Sequence, residues 1–285
     1  MNASLKRGRA TRLTRVYVDG ALHPGSTVDL ARETSAHLAK VLRARSGDEL
    51  VLFNGDGREF TATIDAVRGS RVSASIGAAR IVDRESPCSL TLVQCIPRGD
   101  RMDFIVQKAT ELGVSRIVPV LSQRSVVRLD SAQSASKQAH WRAVAVSACE
   151  QCGRNRLPTV EAAQPLLNYL GALAPPDASP GEAAAAGVRS LRLVMEPEGE
   201  HGQNSARPLD IASLGAVAAA EIAIGPEGGF APEELEAFEL SAFIRAGLGP
   251  RVLRTETAAI AAIVMLQARF GDMLADYDPS RTADA

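Results

Sequence analysis

Long apolar runs are missing from this sequence. The stretch AAIAAIVML, from Ala258 to Leu266, is among the longest, and it falls far short of the roughly 20 residues that a bilayer demands. No apolar h-region of a secretory signal opens the chain. Cysteine is scarce as well: four in 285 residues do not make a disulfide framework. Cys149 and Cys152 form a C-x-x-C, CEQC, but Cys88 and Cys95 lack the matching spacing of a zinc site. Lysine is nearly absent, since 28 of the 32 basic residues are arginine. Arginine suits bidentate recognition of phosphate and bases, although genome composition alone also raises it. Together these shortages predict a soluble cytoplasmic protein with reduced thiols, no metal and no membrane contact.

What is present is ample apolar content, 46% of the chain, enough for one large or two modest domains. The net charge of -1 hides an asymmetry. Residues 1–45 carry nine Lys/Arg against three acids, and residues 196–285 carry fifteen acids against six arginines. Residues 1–12 are polar and basic without periodicity, which predicts a disordered arm. Residues 13–83 read as short strands separated by turns, RVYVDG, DELVLFNGDGREFTATIDAV and RVSASIGAARIV, the middle one a hairpin around NGDG. A helix, ETSAHLAKVLRAR, interrupts them. The expectation is a small β-rich, barrel-like domain.

From 84 to 275 strands and helices alternate, the texture of a parallel sheet with covering helices. Expected strands are SLTLVQCI, RIVPVL, RLVME, EIAIG and RVL; expected helices are RMDFIVQKATELG, KQAHWRAVAVSACEQCG, APEELEAFELSAFI and TAAIAAIVMLQARF. The Pro- and Ala-rich segment at about 171–190 reads as a surface insertion, and 276–285 as a disordered tail.

Two strand-to-helix junctions stand out. In EIAIGPEGGFAPEELEAF a glycine turn precedes a helix whose first turn holds Glu233, Glu234 and Glu236. A helix N-terminus attracts anions, but here carboxylates already occupy that potential, and the spacing matches neither a Walker loop nor a G-x-G-x-x-G. The ligand is expected to be neutral or cationic and read by backbone that glycine lets approach. The second junction, LGPRVLRTETAAIAAI, repeats the pattern, with Gly and Pro before an expected strand. In open α/β sheets ligands bind at the carboxyl ends of adjacent strands, so the two junctions predict one rigid pocket. The helix that follows, apolar around most of its circumference, is expected to lie buried against the sheet or a second subunit.

IGPEGGF with LGPRVLRTETAAIAAI strongly resembles the RsmE family of 16S ribosomal RNA uridine-N3 methyltransferases, in the SPOUT superfamily. HLAKVLRARSGDEL, RGDRMDFIVQKATELGVSRIVPVLSQRSVV and WRAVAVSACEQCGRNRLPTV are similar to that family's other blocks, in the same order. The resemblance implies an α/β fold: a SPOUT-type methyltransferase domain with a trefoil-knotted parallel sheet, preceded by a small β-barrel PUA-like domain for RNA. It also implies S-adenosyl-L-methionine as methyl donor, 16S rRNA of the small ribosomal subunit as substrate, and a homodimer. A sulfonium cation on an adenosine without phosphate suits an acid-rich turn. By the family pattern the cofactor is held by Met195, Glu196 and Pro197, by Ile224, Gly225, Pro226, Glu227, Gly228 and Gly229, by Leu248, Gly249, Arg251, Val252 and Leu253, and by Thr255 and Ala258. Ala231 departs from the Ser or Thr common before Pro232, and alanine is a poor cap, costing about 1 kcal/mol.

Methyl transfer to a uracil nitrogen needs no metal; it needs positioning and a group that takes up the N3 proton or stabilises the anionic base. The catalytic candidates are Arg254, Arg154 and Glu150, with Arg124 and Glu256 as further possibilities. Arg15, His37, Arg43 and Arg124 are expected to face RNA, with His37 and Arg43 about two turns apart on one helix. A non-catalytic RNA-binding ribosome assembly factor of the same fold, and a nucleotide-dependent enzyme that uses the glycine turns for phosphate, are the alternatives.

Overall fold

The computed structural model describes residues 13–173, 189–197, 207–208 and 214–274. The basic arm at 1–12, residues 174–188 of the expected insertion and the tail at 276–285 lie outside them. The described chain forms two compact units: one runs up to Arg84 and includes Glu150–Arg156, and the other holds Glu85–Cys149 and the chain from Leu157 onward.

In the first unit a five-stranded sheet is built from β1 (Thr14–Tyr17), β2 (Thr27–Asp29), β3 (Glu49–Phe53), β4 (Arg58–Arg68) and β5 (Arg71–Ile81), in the order β1-β3-β4-β5-β2. β1 runs parallel to β3 and every other pair is antiparallel. Alternation along β4 turns Phe60, Ala62 and Ile64 inward and Thr61, Thr63 and Asp65 outward. These meet Val16, Leu22, Leu38, Leu52, Val72 and Ile76 in one apolar core.

The helix expected over 33–45 is shorter and breaks. α1 covers Arg32–Ala36 and passes into a single π-helical turn, His37–Val41. Arg43 then takes a left-handed φ of 53°, costing about 1 kcal/mol for a residue with a Cβ. The amide of Ala44 reaches back to the carbonyl of Leu38 at 3.0 Å, the closing bond of a helix that ends in a left-handed residue. Arg43 therefore lies beyond the helix, and the expectation that it stands about two turns from His37 on one helix is corrected. Both side chains are exposed.

Arg15 is corrected too. Its guanidinium turns inward, with its side chain 6% exposed. It donates to Glu59 Oε2 at 2.7 Å, to Asn155 Oδ1 at 2.5 Å and to the carbonyl of Arg154 at 3.2 Å, which leaves no face for RNA. The segment Glu150–Arg156 is thus a brace of this unit. Asn155 donates to the carbonyl of Val82, and Arg84 to that of Gly153. Glu59 is the hub, gathering Arg15, Arg80 at 2.6 Å and Arg84 at 3.6 Å around one buried carboxylate.

The second unit is built on a sheet of β6 (Ser89–Cys95), β7 (Arg116–Leu121), β8 (Thr159–Val160), β9 (Gln164–Pro165), β10 (Arg189–Met195), β11 (Arg207–Pro208), β12 (Val217–Ile224) and β13 (Ile244–Gly247). The order is β11-β13-β10-β12-β6-β7-β8, with β9 also on β7, and all pairs are parallel. Near-continuous apolar runs in β6, β7 and β12 follow from burial on both faces. Helices α2 (Arg101–Glu111), α3 (Ser131–Cys152), α4 (Leu166–Gly171), α5 (Pro232–Leu240) and α6 (Thr255–Phe270) accompany it. One core packs Leu90, Leu92, Ile105 and Trp141 with Leu193, Ile263 and Leu266. The other packs Val93, Val118 and Tyr169 with Phe230, Phe238 and Phe243. Among the described residues no helix is long and apolar enough to cross a membrane.

Two expected elements differ. The helix expected to run through Ile244 stops at Leu240, because Ala242 adopts a φ of 59° and reverses the chain. Ile244–Gly247 is then the strand β13, and the RVL expected as a strand, residues 251–253, is a loop.

Burial alone would push the Glu59 carboxyl up, but hydrogen bonds from Arg15 and Arg80 and the charges of Arg15 and Arg84 outweigh it and hold its pKa below the usual 4.5. A depressed native pKa contributes stability that is complete above the unfolded value and is lost as pH falls through the native one. Glu59→Ala leaves Arg15 buried without its carboxylate and is expected to cost roughly 3 kcal/mol at neutral pH, with a smaller penalty under acid conditions. Denaturant unfolding of the full chain at two pH values measures both.

Candidate functional site

Four adjacent strands of the second unit stop at one level. Met195 of β10 stands opposite Ala246 of β13 on one side and Ile224 of β12 on the other, and Ile224 stands opposite Gln94 of β6. The chain leaving β10, β12 and β13 therefore passes one place, the carboxyl edge where open α/β sheets bind ligands. There it encloses a cavity of about 390 Å3, within the range of about 300–1,000 Å3 typical of small-molecule sites.

Its walls are Met195, Glu196 and Pro197; Ile224 through Phe230; Leu248 and Gly249; Arg251 through Thr255; and Ala258. Every residue that the family pattern assigns to the cofactor is among them, joined by Phe230 and by the catalytic candidate Arg254. The sequence reading passed over Phe230. It stacks edge-on against Phe238 with centroids 4.9 Å apart, and an apolar residue closing a glycine turn was its signal. A Cβ added to Gly225 would come within 3.2 Å of that ring, so the turn packs tightly onto its own anchor. Gly229 has a φ of 66°, which side chains rarely tolerate.

Polar groups in the walls sort by partner. Glu196 is 7% exposed and held by Arg245 Nε at 2.6 Å. Glu227 is exposed and takes Arg101 at 2.5 Å. The hydroxyl of Thr255 donates to the carbonyl of Gly225 at 2.8 Å. Arg251 and Arg254 are exposed, and among the described residues neither guanidinium has a hydrogen-bond or ion-pair partner. The surface salt bridge that would make Arg254 a routine residue is therefore absent from the described residues.

The helix α5 solves its poor cap in an unexpected way. Ala231 offers no side-chain acceptor, yet Glu234, one turn in, bends back so that its Oε2 accepts the amide of Ala231 at 2.9 Å, half of a capping box. Its Oε1 accepts the amide of Gln123 at 2.7 Å. One buried carboxylate thus satisfies the helix start and anchors the loop after β7. From that loop Arg124 donates to the carbonyl of Gly228 at 3.0 Å, so Arg124, expected to face RNA, stands exposed at the glycine turn.

Glu150 and Arg154 do not line the cavity. Both belong to the first unit, where Glu150 Oε1 accepts the amide of Tyr17 at 3.0 Å and Arg154 is 4% exposed. Burial raises the Glu150 pKa, opposed by that amide and by the charges of His37 and Arg15. Cys149 and Cys152 lie near the end of α3 outside any disulfide among the described residues, Cys149 fully buried.

Removing the Glu234 carboxylate strands two backbone donors. Glu234→Ala is expected to cost about 2 kcal/mol or more, read as a fall in Tm, whereas Glu234→Gln keeps one acceptor and should cost less. Equal losses for the two variants would contradict this assignment.

With the geometry in hand, likeness to known proteins is informative. The family described as an RNA methyltransferase domain matches residues 84–267, and the RNA methyltransferase PUA domain matches residues 30–76. The chain is 30% identical to ribosomal RNA small subunit methyltransferase E of Buchnera aphidicola, over 92% of this chain and 98% of that protein. It is 32% identical to the protein of that name from Mycobacterium bovis, over 87% and 88%. The crystal structure of ribosomal RNA small subunit methyltransferase E from Neisseria gonorrhoeae, bound to S-adenosyl methionine, aligns with a TM-score of 0.76 and 37% identity over 91% of this chain and 99% of that one. A methyltransferase of Legionella pneumophila, in complex with the cofactor SAM, aligns with a TM-score of 0.78 and 36% identity over 92% and 100%. A strand-end pocket built from the same segments that carried the resemblance, and likeness over nearly the whole length, lead to one conclusion: the chain belongs to the ribosomal RNA small subunit methyltransferase E family, with an RNA methyltransferase domain following a PUA domain.

Proposed function

We propose that this protein is an S-adenosylmethionine-dependent methyltransferase acting on N3 of one uridine in 16S ribosomal RNA of the small subunit. The observation that carries the reading is Arg254: a cation without a protein partner among the described residues, on the wall of the cavity formed at three strand ends. The residues fit the cofactor. The helix start that a phosphate would seek is already taken by Glu234, whereas a sulfonium and a ribose are compatible with Glu196 and Glu227 in the walls. The two relatives solved with the cofactor support the same ligand.

When bound, S-adenosylmethionine supplies a methyl group activated by its sulfonium. The turns at 225–230 and 248–255 would hold it through backbone groups. Uracil N3–H is a weak acid, and its anion spreads charge onto the flanking oxygens. The guanidinium of Arg254, permanently protonated, stabilises that charge and orients the base, while the N3 proton leaves to water. Of the three catalytic candidates, Arg254 alone takes this role; Glu150 and Arg154 serve the first unit. His37 and Arg43, exposed within the PUA match, and Arg124 at the glycine turn are proposed to meet RNA phosphates. The homodimer and the trefoil knot belong to this reading as well. Half-exposed Ile260, Ala261, Val264 and Met265 on α6 offer an apolar face for a second copy. Action on ribosomal subunits would be cytoplasmic.

Labelled S-adenosylmethionine is expected to bind in preference to ATP, and labelled methyl to reach small subunits as 3-methyluridine. A non-catalytic assembly factor would transfer none. Arg254→Ala is expected to lower transfer about 100-fold while cofactor affinity stays within about threefold. Full transfer by that variant, measured by scintillation counting and nucleoside mass spectrometry, would remove Arg254 from the mechanism.

A further inference from the structure

Strand β6 is apolar along its buried length except at Thr91 and Gln94, and Gln94 has no solvent exposure at all. Its Nε2 donates to the carbonyl of Cys95 at 2.8 Å and to Thr255 Oγ1 at 3.0 Å. Thr255 Oγ1 in turn donates to the carbonyl of Gly225 at 2.8 Å. Carbonyl oxygens only accept, so both ends of this relay fix its direction: amide to hydroxyl to carbonyl. The cost is visible. With the amide nitrogen committed, Gln94 Oε1 is buried without a hydrogen-bond partner among the described residues, an arrangement that native interiors avoid. An apolar side chain of the same length would spare the fold that orphan acceptor. Stability alone therefore does not account for glutamine here, and the residues that the relay reaches do.

Gly225 is the first residue past β12, Thr255 is the first of α6, and both line the cavity. We infer that Gln94 is a positioning residue for the methyl-donor site: through Thr255 it holds the Gly225 carbonyl, and with it the glycine turn, against the start of α6. Gln94 itself does not line the cavity, so it acts only through the groups it orients. The inference rests on the proposal that S-adenosylmethionine occupies this pocket.

The discriminating variant is Gln94→Met, which keeps chain length and removes both the donor and the orphan acceptor. If the residue served only the fold, Tm would fall and the surviving folded protein would bind S-adenosylmethionine as before. The positioning role gives the opposite: Tm unchanged or raised, Kd for S-adenosylmethionine raised at least tenfold by calorimetry, KM for RNA unchanged, and amide exchange at 225–229 faster in the ligand-free protein. Thr255→Val should reproduce the loss of affinity, Thr255→Ser should recover most of it, and Gln94→Met added to Thr255→Val should weaken binding little further, because the two act as one unit. Additive losses, or equal losses for Thr255→Ser and Thr255→Val, would overturn the relay even if Gln94→Met fails to fold. Absence of binding by the unaltered protein would instead sink the proposed cofactor. Tight binding by both the unaltered protein and Gln94→Met would sink the positioning role alone.

Discussion

The parallel ladder that ends β13, β10, β12 and β6 at one level is the constraint on which the site depends. Parallel strands deliver successive carboxyl ends to the same edge, and each exit must turn at once into a loop or helix. Three such exits side by side make the concave wall of the cavity. The chemistry then needs few side chains: a glycine turn that brings backbone close, a cation at the rim, and buried groups that keep the turns from moving. Glu234 and Thr255 belong to that last class, each joining parts of the chain far apart in sequence.

Acidic residues around a glycine-rich turn present an apparent conflict, and the structure resolves it locally. Of Glu233, Glu234 and Glu236 at the head of α5, one is consumed as an internal cap and the other two are exposed. The positive end of the helix is neutralised from within the chain. The wall is left with carboxylates tied to Arg245 and Arg101 and with two arginines that have no tie among the described residues. Such a distribution suits a ligand carrying positive charge next to a substrate that must bear negative charge.

Much of this was legible in the sequence because the segments that line the cavity are contiguous and punctuated by glycine and proline. Alternating strands and helices predicted the parallel sheet, and the NGDG hairpin lies between β3 and β4 as read. Other features had no sequence signal. The end of α5 is set by Ala242 in a left-handed conformation, where no glycine marks the stop, so the helix read on through Ile244 and RVL read as strand. The break before Arg43 is likewise unpunctuated. The inward turn of Arg15 depends on Glu59 and Asn155, far along the chain, and pairing at that range leaves no local pattern. Gln94, inside the expected strand SLTLVQCI, carries no local signal, since its meaning lies in Thr255, which follows it by 161 positions.

The placement of Glu150–Arg156 with the first unit carries a consequence for biosynthesis. A domain whose parts are consecutive can close as soon as its last residue leaves the ribosome. This one cannot complete itself so early, because the side-chain amide that receives Arg15 arrives only with Asn155, after β6, α2, β7 and all of α3 have been translated. Until then the nascent N-terminal sheet can pair Arg15 with Glu59 but lacks the acceptors on Arg154 and Asn155, so the first unit completes its bracing only after much of the second has been made.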